Sequence, residues 1–160
     1  MKEQFTFFWD GPFSQWHSCE FTDSWGLTYN CAEQYMMASK AELCDDKETM
    51  RKIMKATSPN EQKALGRTVK NFDVDQWNEV ARDIVYEGND LKFNQNPELK
   101  QMLLETTGTT LVEASPVDSF WGIALYANDS RALSRSTWQG TNWLGEVLTN
   151  VRDDMIKRTL

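Results

Sequence analysis

A succession of helix-start signals constrains this chain more than any other feature. Asn30 precedes an apolar run with Glu33 three residues on, the spacing of a capping box, and predicts a helix over about 31 to 43. Asp45-Asp46 opens a second helix running to about Lys55. Ser58-Pro59-Asn60-Glu61 opens a third, with proline at the first helical position and a stop near Gly66. Trp77, Val80, Ala81, Ile84, Val85 and Leu91 recur at near-helical spacing from Asp75 to about Phe93, with Gly88-Asn89 as a point of interruption. Asn96-Pro97-Glu98 starts a helix that ends before Thr107-Gly108, and the last helix runs from Thr141 or Asn142 to about Arg158. About six helices leave little room for strands.

The remaining extended pieces are short. Gln4 to Trp9, Cys19 to Thr22 and Gly26 to Tyr29 are broken by Asp10-Gly11-Pro12 and Asp23-Ser24-Trp25-Gly26, which predicts a small antiparallel sheet or hairpin near the N-terminus. Thr110 to Ala114 reads as one buried strand. The fold class is therefore mainly α: a multihelical single domain over residues 1–160 with a small N-terminal β element. At 160 residues the chain can bury roughly 70% of its unfolded surface around one core.

Composition narrows the function. With 24 acidic and 17 basic residues the net charge is −7, which gives no general attraction to duplex nucleic acid or anionic lipid. A mean hydropathy of −0.61 argues against a membrane span. The N-terminal Met1-Lys2-Glu3-Gln4-Phe5 starts no apolar segment of signal-peptide length, so the cytoplasm is the expected compartment. Cys19, Cys31 and Cys44 are odd in number and lack metal or redox spacing, and read as reduced thiols. His17 is the sole histidine and sits beside Trp16, more in the manner of a structural residue than of a base. No metal and no organic cofactor is expected.

Three blocks couple a charged or amide side chain to an aromatic or a glycine. They are Glu33-Gln34-Tyr35 with Lys40, Asp118-Ser119-Phe120-Trp121-Gly122, and Asn142-Trp143-Leu144-Gly145 with Arg152. Such sets suit a pocket for a flat, polar, phosphorylated ligand. Each member also has a structural reading. Glu33 fits a capping box, Asp118 an Asx turn, Lys40 a solvated helical charge, and Arg67 or Arg152 a surface ion pair. Trp77 fits a core position. Trp121-Gly122 alone favours function outright, since packing gives little reason for tryptophan beside glycine in a loop.

Further blocks complete an order that spans nearly the whole chain. Phe13-Ser14-Gln15-Trp16, Ala64-Leu65-Gly66-Arg67, Trp77, Lys92-Phe93-Asn94-Gln95-Asn96-Pro97 and Leu111-Val112-Glu113 join the three above. In that order the chain resembles the NADAR superfamily, the YbiA-like N-glycosidases. Gln34 departs from the histidine common in the family, Ala124 stands where a second glycine is frequent, and Asp129 to Trp138 is a longer loop.

The resemblance implies cleavage of an N-glycosidic bond between a base-like amine and a phosphorylated ribose. The substrates it suggests are ribosylaminopyrimidine intermediates of riboflavin synthesis or ADP-ribosylated guanine, free or in nucleic acid. Breaking the C1′–N bond builds positive charge on the sugar, which carboxylates stabilise. Glu33 and Asp118 are the matching pair. Trp121, Trp77 and Trp16 are candidates to stack on the base, with Tyr35 and Gly122 beside them. Lys40, two helical turns from Glu33, and Arg67 and Arg152 are anion-binding candidates. Asn142 to Gly145, at the start of the last helix, offers backbone N–H groups to a phosphate. A non-catalytic nucleotide or ADP-ribose binding module is the competing reading.

Overall fold

The computed structural model describes residues 2–160 and contains six α-helices, four short strands and two 3₁₀ turns. Its residues group into two compact units, one formed by the chain up to Ser14 together with Glu98–Leu160, the other by Gln15–Pro97.

The unit of residues 15–97 holds β2 (Phe21–Thr22) and β3 (Thr28–Tyr29), paired antiparallel, and then α1 (Ala32–Leu43), α2 (Lys47–Lys55), α3 (Pro59–Gly66) and α4 (Val74–Asn94). Helix α1 packs against α2, α3 and α4, which explains why Ala32, Met36, Met37, Ala38 and Ala41 are all buried. Gly88-Asn89 does not interrupt α4. A Cβ at Gly88 would lie 2.6 Å from the Tyr35 ring, so glycine there admits the crossing of α1 rather than breaking the helix. Phe21 stacks on Tyr29 with centroids 5.5 Å apart, and Tyr35 meets Tyr29 edge-on at 5.0 Å.

The caps follow the predicted signals with one change. Asp46 caps α2 and Ser58 caps α3, the latter accepting Glu61 N–H at 3.2 Å. Helix α1 is capped by Cys31, not Asn30. The Cys31 sulfur accepts Gln34 N–H, and Gln34 Oε1 accepts Asn30 N–H at 2.8 Å. The box is thus closed by Gln34, because the helix starts one residue later than Asn30 would set it.

The other unit holds β1 (Phe5–Phe8), α5 from Glu98 onward (Pro97–Leu104), β4 (Thr110–Glu113) and α6 (Trp143–Arg158). Here the expected N-terminal sheet is corrected: β1 pairs parallel with β4, from Phe5 opposite Thr110 to Phe8 opposite Glu113, and takes no part in the β2–β3 ladder. Both central residues of β4, Leu111 and Val112, are fully buried, as expected of a buried strand over Thr110 to Ala114, while its parallel partner lies across a long connection that local sequence does not reveal. Val112, Ala114, Ile123, Leu125 and Ala132 form a core cluster covered by Phe5, Phe7 and Trp138. The 129–138 loop is folded into two 3₁₀ turns, Ser130–Leu133 and Arg135–Thr137. Arg135 pairs with Glu3 at 2.6 Å and with Glu146 at 2.5 Å, and its guanidinium lies 4.9 Å from the Trp138 ring centre.

Candidate functional site

In the unit of residues 15–97, Glu33 sits in the first turn of α1 and is 3% exposed. Its backbone N–H donates to the Gln15 carbonyl at 2.9 Å, which fixes the Trp16 segment against that turn. Trp16 itself is exposed, with the Lys63 ammonium 5.9 Å from its ring centre. Lys40 lies 4.4 Å over the Phe72 ring. Its pKa is lowered, mainly by burial and further by the Arg67 charge, while Cys44 and Glu33 act in the opposite sense. Glu33, Lys40 and Arg67 therefore share one electrostatic neighbourhood, Glu33 and Lys40 from α1 and Arg67 from the end of α3.

Tyr35 belongs elsewhere. Two residues after Glu33 it points about 200° around the helix. Its hydroxyl donates to Glu87 at 3.3 Å, and it lines a cavity of about 570 Å³ with Asp23, Trp25, Tyr29, Glu42 and Asp90, a lining that does not include Glu33. Trp77 stands half-buried in the first turn of α4. Gln34, the departure from the family pattern, is wholly occupied by the fold. Its amide nitrogen donates to the carbonyl of Ile53 at 3.1 Å, with those of Met54 and Ala56 at 3.4 and 3.5 Å.

A buried lysine also emerges in this unit. Lys92 is 0% exposed on α4, and desolvation lowers its pKa to about 8 although Cys19 and Cys31 oppose the shift. It stands in the Lys-Phe-x-x-Asn-Pro block, where sequence alone gives no sign that an ordinary helical lysine is sealed inside.

In the other unit the loop after β4 is seated on the start of α6. Thr141 N–H donates to Ser119 O at 2.9 Å, Asn142 to Gly122 at 3.0 Å, Trp143 to Phe120 at 2.9 Å and Leu144 to Trp121 at 3.1 Å. The amides proposed for a phosphate at the head of α6 are thus taken by loop carbonyls at Trp143 and Leu144. Asp118 Oδ1 accepts Phe120 N–H at 2.9 Å and Trp121 N–H at 2.8 Å, so the Asx-turn geometry is present. Trp121, half-buried, packs edge-on against Trp143 at 5.5 Å, and Phe120 meets the same ring at 5.9 Å. Trp143, the first residue of α6 and part of the Asn142–Gly145 block, joins this aromatic group.

Asn142 is completely buried in a left-handed conformation, φ 53°. Its Oδ1 accepts Glu113 N–H at 2.9 Å and its Nδ2 donates to Leu111 O at 3.0 Å, which fastens α6 to β4. A Cβ at Gly145 would overlap the Leu111 carbonyl oxygen. At Gly122 a Cβ would fall 2.8 Å from Glu113 O and 3.1 Å from the Glu113 carboxylate. Arg152 is 3% exposed and donates to Thr106 O and Oγ1, both at 3.0 Å, so its charge serves the fold. Among the described residues no group of three or more His, Cys, Asp or Glu side chains is arranged to hold a metal, and no helix is long and apolar enough to cross a membrane.

Comparison with known proteins follows the same blocks. The chain is 44% identical over 146 residues to N-glycosidase R617 of Acanthamoeba polyphaga mimivirus, covering 89% of this chain and 86% of that protein. It is 33% identical over 161 residues to the chloroplastic riboflavin biosynthesis protein PYRR of Zea mays, covering 92% of this chain but 24% of the longer maize protein. Its backbone matches the NMR structure of the E. coli protein YbiA with a TM-score of 0.80 over 99% of this chain and 89% of that one, at 24% identity, a likeness of fold. The NADAR domain model matches residues 7–156, nearly the full length described above, and the chain belongs to the NADAR family.

Proposed function

We propose that this chain is an N-glycosidase that hydrolyses the bond between a base or base-like amine and a phosphorylated ribose. The N-glycosidases among its relatives and the riboflavin biosynthesis protein of maize support the reaction class and a small ribosylated substrate. The observation that carries the reading is Glu33: a carboxylate 3% exposed in the first turn of α1, sharing its surroundings with the cations of Lys40 and Arg67. A carboxylate of that kind meets positive charge as it develops on the sugar, while cations beside it meet phosphate. Asp118 is the second catalytic carboxylate in this reading. With Oδ1 bound to two backbone N–H groups its side chain is held in one orientation, and Oδ2 has no hydrogen-bond partner among the described residues. Trp121, Trp77 and Trp16 supply aromatic faces for the base, and residues 1–160 act as one domain.

The net charge of −7 favours a free metabolite over an ADP-ribosylated guanine in nucleic acid, and the reduced thiols suit the cytoplasm. The deciding experiment incubates the protein with phosphoribosylaminopyrimidines, ADP-ribosylated guanosine and ADP-ribosylated DNA and follows base release. Release from the first is expected. Glu33→Gln and Asp118→Asn should each lower turnover by about 100-fold or more with the fold intact. Binding of these compounds without cleavage by the wild type would turn the reading to a binding module.

A further inference from the structure

The loop that carries Trp121 is built around a carboxylate that the sequence reading gave no role. Strand β4 ends on Glu113, whose N–H donates to Asn142 Oδ1 at 2.9 Å and whose carbonyl accepts Ile123 N–H at 3.0 Å. The backbone is therefore clamped from two sides, and one clamp is a fully buried asparagine held in a left-handed conformation. The side chain is equally confined. Glu113 Oε2 is buried, and it lies so close to Gly122 that a Cβ there would come within 3.1 Å of it. The same Cβ would stand 3.1 Å from the Asp118 carbonyl, so the base of the Asp118–Trp121 turn and the Glu113 carboxylate press on a single glycine.

Two physical points follow. Burying a carboxylate oxygen costs free energy that an apolar side chain at the same strand end would avoid. A charge fixed by strand, glycine and asparagine needs no reorganisation when a reaction calls on it. Asp118 differs, since one of its oxygens is committed to the amides of Phe120 and Trp121.

We propose that Glu113 is a further catalytic residue: the general base that takes a proton from the water attacking the sugar carbon. The proposal rests on the N-glycosidase reading. In the step, the water oxygen forms a bond to C1′ as the C1′–N bond breaks, and the electron pair of that bond leaves with the nitrogen of the base. The proton lost by water passes to the Glu113 carboxylate and is then returned to the departing nitrogen, so the enzyme ends unchanged. Asp118 orients Trp121 and adds negative charge near the sugar.

The test is steady-state base release by wild type, Glu113→Gln, Glu113→Asp and Asp118→Asn between about pH 4 and about pH 9, with melting temperatures taken in parallel. Glu113→Gln should lower kcat by about 100-fold or more at nearly unchanged KM and abolish the acid limb of the kcat profile. Asp118→Asn, though slowed, keeps that limb. Wild-type kcat or an intact acid limb in a folded Glu113→Gln overturns the proposal. Should that variant not fold, Glu113→Asp decides, because retracting the charge by one methylene should cost roughly 10-fold or more in kcat with the limb retained; a wild-type kcat there overturns it too. An active wild type with an active Glu113→Gln removes Glu113 alone, whereas a wild type that releases no base from any of these substrates removes the N-glycosidase reading and Glu113 with it.

Discussion

Gly122 shows why a motif residue can matter for what it lacks. Its missing Cβ leaves the Glu113 carbonyl and carboxylate in place beneath the loop, and the neighbouring tryptophan is held by its N–H hydrogen bond to Asp118 Oδ1 and an edge-on contact with Trp143. In the proposed function the Trp121 ring meets the base and the Lys40 charge meets a phosphate. Trp121→Ala should lose about 1 to 3 kcal/mol of binding for every ribosylated base, whereas Lys40→Ala should weaken phosphorylated ligands alone. Calorimetric titration with a nucleoside and its 5′-phosphate separates the two. Equal binding by both variants and wild type would make Trp121 and Lys40 structural. At this scale residue identities were readable from sequence, but their tasks were not. Asn142 and Arg152 look like ligand-binding side chains; Asn142 instead bonds the backbone of β4, and Arg152 bonds Thr106 and pairs with Asp153 at 3.0 Å.

Among the elements, helix starts were the most legible because a cap is a local event: a side-chain oxygen or sulfur meets an N–H two or three residues on. The single slip, Asn30 for Cys31, moved the box from Glu33 to Gln34. Gln34→Ala should therefore cost about 2 kcal/mol or more in denaturant unfolding, since buried carbonyls of α2 and Asn30 N–H lose their partner, whereas Glu33→Gln should leave stability nearly unchanged. The reverse order would return the capping role to Glu33. Helix α2 gives a pH prediction. Asp46 accepts Lys70 N–H at 2.9 Å, Thr49 Oγ1–H at 2.6 Å and Thr49 N–H at 3.1 Å, with the Lys70 amide the main cause of a pKa lowered from 3.8 to about 2. The charged form is favoured by the fold, so its stabilisation is complete above pH about 4 and is lost as the pH falls toward about 2. Melting temperatures of Asp46→Asn should show a shallower decline across that interval than those of the wild type; parallel curves would contradict this.

For the whole molecule, the proposed chemistry is one run by protein carboxylates. His17 is the sole histidine, and the described thiols and carboxylates are nowhere grouped as a metal site. Turnover in excess chelator is expected to equal the untreated rate, and a loss reversed by added metal would expose a metal site with water-bridged ligands. What the sequence determined by itself was local: six helices, their caps, the positions of glycine and aromatic residues, and the family order of blocks, all of which depend on neighbours within about a turn of chain. Tertiary structure alone decided that β1 pairs with β4 more than 100 residues away, that Tyr35 lines a cavity without Glu33, and that Lys92 and one carboxylate oxygen of Glu113 are buried. Burial and strand partnership are set by what distant segments bring, and no local pattern carries that information.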